Sequence, residues 1–465
     1  MPRPMRKPPP TPTSWAEELR QGLRLAAPIV AVQLGQMGLG LVDVLMVGRS
    51  SDAALAGIAL GNMVVWMLLG FGSGVVAALD PVLSQAYGAG RTDAIRAGTQ
   101  RGLALAVALG IAVSLLALGT GPILTLLDQP EEVRPLAADY VRWSIPGMVP
   151  LLVFAALRQS LQALSTIRPV LWTMLVANVL NAALNEVFIF GRLGMPALGL
   201  RGSALASDVS RLWMAIGLAW AGWPLLRDRL RPFDRAHLHP RAWLDLLRIG
   251  TPIGAQFLME MGAFSAAMVF IGHIGAEQVA GHKVALTLAS TSFMVPVGIG
   301  AAAAVRVGYA VGRRDEAGFR RAACVGIGMG AGTMAVFGGL FLMFPHELAR
   351  LFTDSAAIVP IAATLIPFAG VFQVFDGIQA VGIGVLRGLA DTRFALIVNV
   401  LGYWVLAVPL GYWLAFPQGL GAAGLWWGLT LGLALVAVVV GLRVLWHFRR
   451  PLRPLDEASA PPPAD

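Results

Sequence analysis

The sequence predicts an all-α integral membrane protein, with twelve transmembrane helices in two pseudo-symmetric six-helix lobes. Three observations predict it. First, 57% of the 465 residues are hydrophobic and only 13% charged, with a mean hydropathy of +0.70. A soluble domain carries about twice that charged fraction. Second, apolar runs long enough to cross hydrocarbon, about 20 residues each as helix, recur twelve times. Third, the sequence aligns with itself. A chain of this composition lacks the polar surface to cover a globule, so it needs an apolar solvent.

The twelve runs centre near Gly35, Val65, Ala108, Val149, Leu180, Ala215, Phe257, Ser292, Gly332, Phe372, Tyr403 and Ala434; they are spans 1 to 12. The basic residues fall in short loops between them, and alternate loops hold most. One side collects Arg91, Arg96 and Arg101, then Arg158 and Arg168. The central loop adds Arg227, Arg229, Arg231, Arg235, Arg241 and Arg248. Arg306, Arg313, Arg314, Arg320 and Arg321 follow, then Arg387 and Arg393. Such asymmetry places these loops, and both termini, in the cytoplasm. The net charge of +9 is therefore read as membrane topology, with no nucleic-acid partner expected. No short apolar stretch with a cleavage site follows the Pro-rich segment Met1 to Trp15, so no signal peptide is expected. The single cysteine, Cys324, excludes a disulfide framework.

The self-alignment has a shift of 224 residues. Pro28-Ile29 falls on Pro252-Ile253, Gly48 on Gly272, Gly57 on Gly281, Gly88 on Gly312 and Arg96 on Arg320. It resumes at slightly different shifts, Leu161 to Arg168 over Leu386 to Arg393, and Leu198-Gly199 over Leu420-Gly421. A repeat with an even number of spans keeps its orientation, so the halves should be related by an axis along the membrane normal. Parallel repeats of this kind occur in secondary transporters, where the path between halves carries substrate. The expected division is 1–20 as a cytoplasmic N-terminal segment, 21–226 as the N-lobe, 227–241 as a cytoplasmic linker, 242–450 as the C-lobe and 451–465 as a disordered tail.

Three carboxylates stand inside spans: Asp43 in span 1, Glu260 in span 7 and Asp376 in span 10. An acidic group at mid-membrane costs about 2.5–3.5 kcal/mol on insertion scales. Each has amide company at helical spacing: Gln36 one stripe from Asp43, Gln256 one turn before Glu260, and Gln373 and Gln379 flanking Asp376. Span 5 adds Asn178, Asn181 and Asn185. These polar stripes should face a wet interior, as a cation-coupling and substrate-binding surface or as helix-to-helix hydrogen bonds. Under the 224 shift Glu260 falls on Gln36 and Asp43 on Ala267, so the halves share a scaffold but not their charges. Asp80 is expected at a cap or on the surface, Glu186 and Asp208 in solvated or interfacial positions, and His282 and Lys283 at the outer end of span 8. Met37, Met46, Met259, Met261 and Met268 are read mainly as core or lipid-facing filler, an adaptable drug surface being the other reading.

The chain resembles the multidrug and toxic compound extrusion (MATE) family, near its NorM-type branch. The resemblance runs from about Leu19 to Arg450 and rests on several segments together. They are Gly40-Leu41-Val42-Asp43, Asn181 to Asn185 with Phe188, Gly202 to Ser207, Phe257 to Glu260, Ala280 to Leu286 with Arg306-Val307-Gly308, and Phe372 to Asp376 with Leu386-Arg387-Gly388. The resemblance implies a V-shaped, two-lobed antiporter of the bacterial inner membrane that exports organic cations against entry of Na+ or H+. It uses no other cofactor and is expected to work as a monomer. It also implies that Glu260 and Asp376 form a second-lobe cation site, able to hold Na+, and that Asp43 is the first-lobe aspartate with Asn181, Asn185 and Ser207 as neighbours. Phe372 stands where the NorM-type pattern has tyrosine, and Ser207 where it has threonine. A lipid-linked precursor or metabolite flippase of the same superfamily is the alternative; the acidic mid-span charges argue against it. No P-loop, HExxH motif or paired-aspartate prenyltransferase motif occurs, which argues against ATP-driven transport and against an enzyme.

Overall fold

The computed structural model describes residues 12–48, 52–126, 131–234 and 239–455. The expected disordered tail lies mostly outside them, as do Arg235 and the first eleven residues. Among the described residues there is no β-strand. Span 1 is Trp15–Gly48, span 2 Ala56–Gly88, span 3 Thr92–Leu118, span 5 Arg168–Phe190 and span 6 Leu200–Leu230. Span 7 is Pro240–Gly272, span 8 Ala276–Arg313, span 9 Glu316–Met343, span 10 Ile358–Gly388, span 11 Thr392–Ala415 and span 12 Gly421–His447. Span 4 is the pair Arg134–Trp143 and Ile145–Gln162, bent by 41°. Every predicted span centre lies inside one of these helices. Ten are long and apolar enough to cross a membrane singly, and the bent pair makes an eleventh. The twelfth, span 6, is diluted by Asp208, Arg211 and three tryptophans.

The repeat is visible in how the spans end. After span 2, Gly90 takes φ +72° and the Arg91 N–H donates to the Ala86 carbonyl at 3.0 Å; after span 8, Arg314 takes φ +57° and the Asp315 N–H donates to Ala310 at 2.9 Å. Ser165 and Ala390 repeat the turn after spans 4 and 10, with Thr166 donating to Leu161 and Asp391 to Leu386, both at 2.9 Å. This is the helix-ending bond in which a left-handed residue lets the chain cap orphaned carbonyls. Three of the four left-handed residues are not glycine, so the surrounding turn overrides their ordinary preference.

Two compact units emerge. Among the described residues, one comprises 34–254 and the other 12–33 with 255–455. The boundaries between these units fall inside spans 1 and 7. The reason is packing at glycines. In the first unit, Gly74 of span 2 lies against the backbone of Gly254 in span 7, and Gly254 against Phe71. In the second, Gly298 of span 8 lies against the backbone of Val30 in span 1. These are repeat-equivalent contacts, since a shift of 224 carries position 74 to 298 and position 30 to 254. The leading part of span 1 is further held by a buried fork: Arg306 donates to both Glu18 oxygens at 2.9 and 2.6 Å and to Gln21 at 2.9 Å.

Within the expected linker 227–241, helix runs to Leu230 and restarts at Pro240. Arg96 of span 3 clamps its start, donating to the carbonyls of Asp228 at 3.0 Å and Arg231 at 3.3 Å. Its repeat mate Arg320 donates to the Phe448 carbonyl at 2.6 Å, at the end of span 12. Basic side chains at helix C-termini also meet the negative end of the helix dipole.

Candidate functional site

In the first unit the stripes on spans 1, 5 and 6 converge on Asp43. Its Oδ1 accepts from Asn181 Nδ2 at 3.1 Å and Asn185 Nδ2 at 2.6 Å, and its Oδ2 accepts from the Ser207 hydroxyl. Asn181 and Asn185 are one helical turn apart and bonded to each other at 3.2 Å. Asp43 is 3% exposed and both asparagines are fully buried. A carboxylate in hydrocarbon is tolerated when donors replace its water shell, and three side-chain donors do so here.

Gln36 and Asn178 make other contacts. Gln36 accepts from Arg158 at 3.4 Å. Asn178 donates to the Met174 carbonyl of its own helix at 3.0 Å and packs against Gly35 and Gly38. Three residues that the sequence stripes did not single out belong beside Asp43. Arg211 and Asp208 form a buried pair at 3.2 Å, 13% and 7% exposed. The Arg211 charge reaches Asp43, and buried Tyr140 senses Asp43, Arg211 and Asp208. Asp208 is therefore not interfacial as expected: bend and helix bring it under Gly147 of span 4. Glu186 does stay half-exposed, paired with Arg192 at 2.7 Å. Asp80 is completely buried, in the first turn of the Leu79–Gly88 helix, and not at a surface.

In the second unit Glu260, Asp376 and a tyrosine of span 11 come together. The Tyr403 hydroxyl donates toward Glu260 Oε1 at 3.5 Å. Gln379 Nε2 donates to the same hydroxyl at 3.0 Å, and Gln379 Oε1 lies 3.3 Å from it. Asp376, 5% exposed, is within electrostatic reach of Glu260 and Tyr403. Gln373 points to span 8 instead, donating to Ser292 at 2.6 Å. Two features hold span 11 in place: Trp404 Nε1 donates to the Met259 carbonyl at 2.9 Å, and Gly262 makes room for the Trp404 ring. Tyr403 carried no signal in the stripe pattern, since span 11 has no acidic residue.

His282 was expected at an interface; it is fully buried, edge-on to Trp426 at 5.5 Å. Gly281 admits Ile361 of span 10 so closely that the next residue is drawn inside. Phe372 stacks on the same Trp426 at 5.6 Å. Its position therefore serves an aromatic stack, and the hydroxyl near the carboxylates comes from Tyr403. Among the described residues no three His, Cys, Asp or Glu side chains are grouped to hold a metal ion. The second cluster offers two carboxylates, a hydroxyl and amide oxygens, which are hard donors suited to a proton or an alkali cation.

Twelve membrane spans repeated in the sequence, with one acidic cluster inside each unit, define a multi-pass membrane transporter. Residues 28–187 and 252–413 match MatE, so the chain belongs to the MatE family. It is 36% identical over 462 residues to the probable multidrug resistance protein NorM of Rhizobium meliloti (strain 1021), covering 96% of both chains. It is likewise 36% identical to the multidrug resistance protein NorM of Burkholderia vietnamiensis, over 93% of this chain and 95% of that one. The fold matches the crystal structure of the eukaryotic MATE transporter AtDTX14 with a TM-score of 0.86 at 23% identity, over 93% of this chain and 96% of that one. It matches an outward-facing multidrug resistance MATE family transporter with a TM-score of 0.84 at 20% identity, over 93% of this chain and 96% of that one.

Proposed function

We propose that the protein is a secondary active multidrug efflux antiporter of the bacterial inner membrane, exporting lipophilic organic cations in exchange for Na+ or H+. The observation that carries this reading is the placement of mid-span carboxylates: Asp43, buried and ringed by amide and hydroxyl donors in one unit, half-buried Glu260 and buried Asp376 beside Tyr403 in the other. The mechanism is competition. An acidic group in a low-dielectric surround holds one positive charge well and two poorly. An organic cation arriving from the cytoplasm or inner leaflet neutralises a carboxylate; Na+ or H+ entering from outside takes its place and releases it outward. Each coupling charge moving inward across the membrane contributes about 2.3 kcal/mol per 100 mV. The basic loops at 91–101, 227–248, 306–321 and 387–393 face the cytoplasm, as do both termini, and the transporter acts as a monomer.

The test is substitution of each carboxylate by its amide: Asp43→Asn, Glu260→Gln and Asp376→Asn. Each variant is expected at wild-type membrane level with resistance to lipophilic cations lost. Wild-type resistance in all three sinks the site assignment.

A further inference from the structure

Span 11 changes its winding where it passes the Glu260 cluster. Thr392–Asn399 is α-helix, Val400–Ala407 is π-helix, and Val408–Ala415 returns to α. A π-helical stretch is rare and is frequently found at functional sites. Tyr403 sits inside it. Asn399 sits at its entrance, four residues before Tyr403 and on the Asp391 side of it.

Asn399 is fully buried, and neither its Oδ1 nor its Nδ2 meets a hydrogen-bonding partner among the described residues. That is costly for an amide, since each buried polar atom without a partner carries its full desolvation penalty. Val398 and Ala395 around it are buried apolar residues, so a leucine would suit the packing better. An amide in such a place calls for a partner that the described residues do not supply.

Tyr403 supplies the connection. Its hydroxyl has one hydrogen and two acceptors, Glu260 Oε1 at 3.5 Å and Gln379 Oε1 at 3.3 Å. It donates to Glu260 when that carboxylate is bare. When a cation neutralises Glu260, the hydrogen turns to Gln379 Oε1, and the hydroxyl oxygen, which accepts from Gln379 Nε2, keeps one lone pair to face the cation. Asn399 lies four residues before Tyr403 on the same helix, about one turn away, with its Oδ1 buried and without a partner among the described residues.

We propose that Asn399 is a second, transient binding site for the coupling cation, a monovalent ion carried as Na+ or as hydronium, which receives it from the Glu260–Tyr403 cluster on its way to the cytoplasmic end of span 11. This rests on the cation-coupled reading above and on the orientation given there. The amide carbonyl offers a neutral oxygen that holds a cation weakly, as a site of passage requires; a carboxylate would hold it too long.

The test uses the full chain in proteoliposomes loaded with ethidium, with a Na+ gradient or a pH gradient imposed alone. Asn399→Leu is expected to lower the maximal rate about tenfold under the gradient that drives the wild type, while the external cation concentration for half-maximal rate stays within about twofold. Its melting temperature should equal or exceed wild type, because no hydrogen bond is lost. Asn399→Ser, which keeps an oxygen, should recover much of the rate. The gradient that drives transport tells Na+ from hydronium. Wild-type rate in Asn399→Leu overturns the proposal. So does a rate loss in both variants that tracks a fall in melting temperature, since that marks a structural role. Glu260→Gln keeps the two readings apart: if it transports like wild type, the coupling site itself is wrong; if it is dead while Asn399→Leu is normal, only the second site falls.

Discussion

The three mid-span carboxylates are stabilised by different means, and the difference predicts how they respond to substitution. Asp43 has three side-chain donors on two other helices, whereas Glu260 has one long bond, from Tyr403. Tyr403→Phe keeps the ring contact with Phe264 at 6.1 Å and removes only the hydroxyl. A hydrogen bond of this kind is worth about 0.5–1.5 kcal/mol net, so the half-saturating cation concentration should change by up to about tenfold with melting temperature nearly constant. Transport titrations on the purified variant check this; an unchanged constant would show that the hydroxyl is a bystander. Residue-scale legibility was uneven for a physical reason. Asp43, Asn181 and Asn185 were readable because charges and amides stand out against apolar spans; Ser207 was expected only from the family resemblance. Tyr403 and Tyr140 were not, because an aromatic with a polar tip looks like any other core or interfacial ring until its neighbours are known. Gln36 and Asn178 looked equal to the rest of their stripes, yet Arg158 and the Met174 carbonyl claim them.

Helices and their ends carry the next level. The fork from Arg306 to Glu18 is 9% and 2% exposed. Removing one partner of such a pair leaves a buried charge and costs about 3–5 kcal/mol. Arg306→Ala should therefore melt markedly earlier than wild type, while the double change Glu18→Gln with Arg306→Met should recover most of the loss; thermal unfolding in detergent decides. At the turn between spans 10 and 11, burial alone would raise the Asp391 carboxyl, but bonds from His447 at 3.0 Å and Arg443 at 2.8 Å override it and hold it below its ordinary 3.8. A depressed carboxyl stabilises the fold above its unfolded value and stops doing so as pH falls through the folded one. Asp391→Asn should thus be less stable than wild type from neutral pH down to about pH 5, with the gap closing only below 3.8; a gap that closed near neutrality would contradict the assignment. Helix positions were legible from apolar length, and the left-handed turns at Ser165, Arg314 and Ala390 were not, since nothing in those residue types asks for positive φ.

For the whole molecule the duplication is the organising fact, and it holds at the contacts between spans as well as in the sequence. Gly74 with Gly254 and Gly298 with Val30 are one contact made twice, and Arg96 and Arg320 close the last helix of each half alike. What the repeat does not share is charge. Gln36, where the other half has Glu260, rests against Arg158; Ala267, where the other half has Asp43, lies in the apolar core of the second unit. The scaffold is thus symmetric and the chemistry is not, as expected if one half hosts coupling steps the other does not. Which spans group together was beyond the sequence, because the grouping of residues 12–33 with 255–455 depends on close approach at glycines that the pattern alone does not pair. The central claim is that a cation gradient drives export through these carboxylates. Its most direct test is uptake of a lipophilic cation into inverted membrane vesicles with a Na+ gradient or a H+ gradient imposed alone, in wild type and Glu260→Gln. The account predicts accumulation under at least one gradient in wild type and none in the variant. Equal flux in both proteins, or flux indifferent to either gradient, would contradict it.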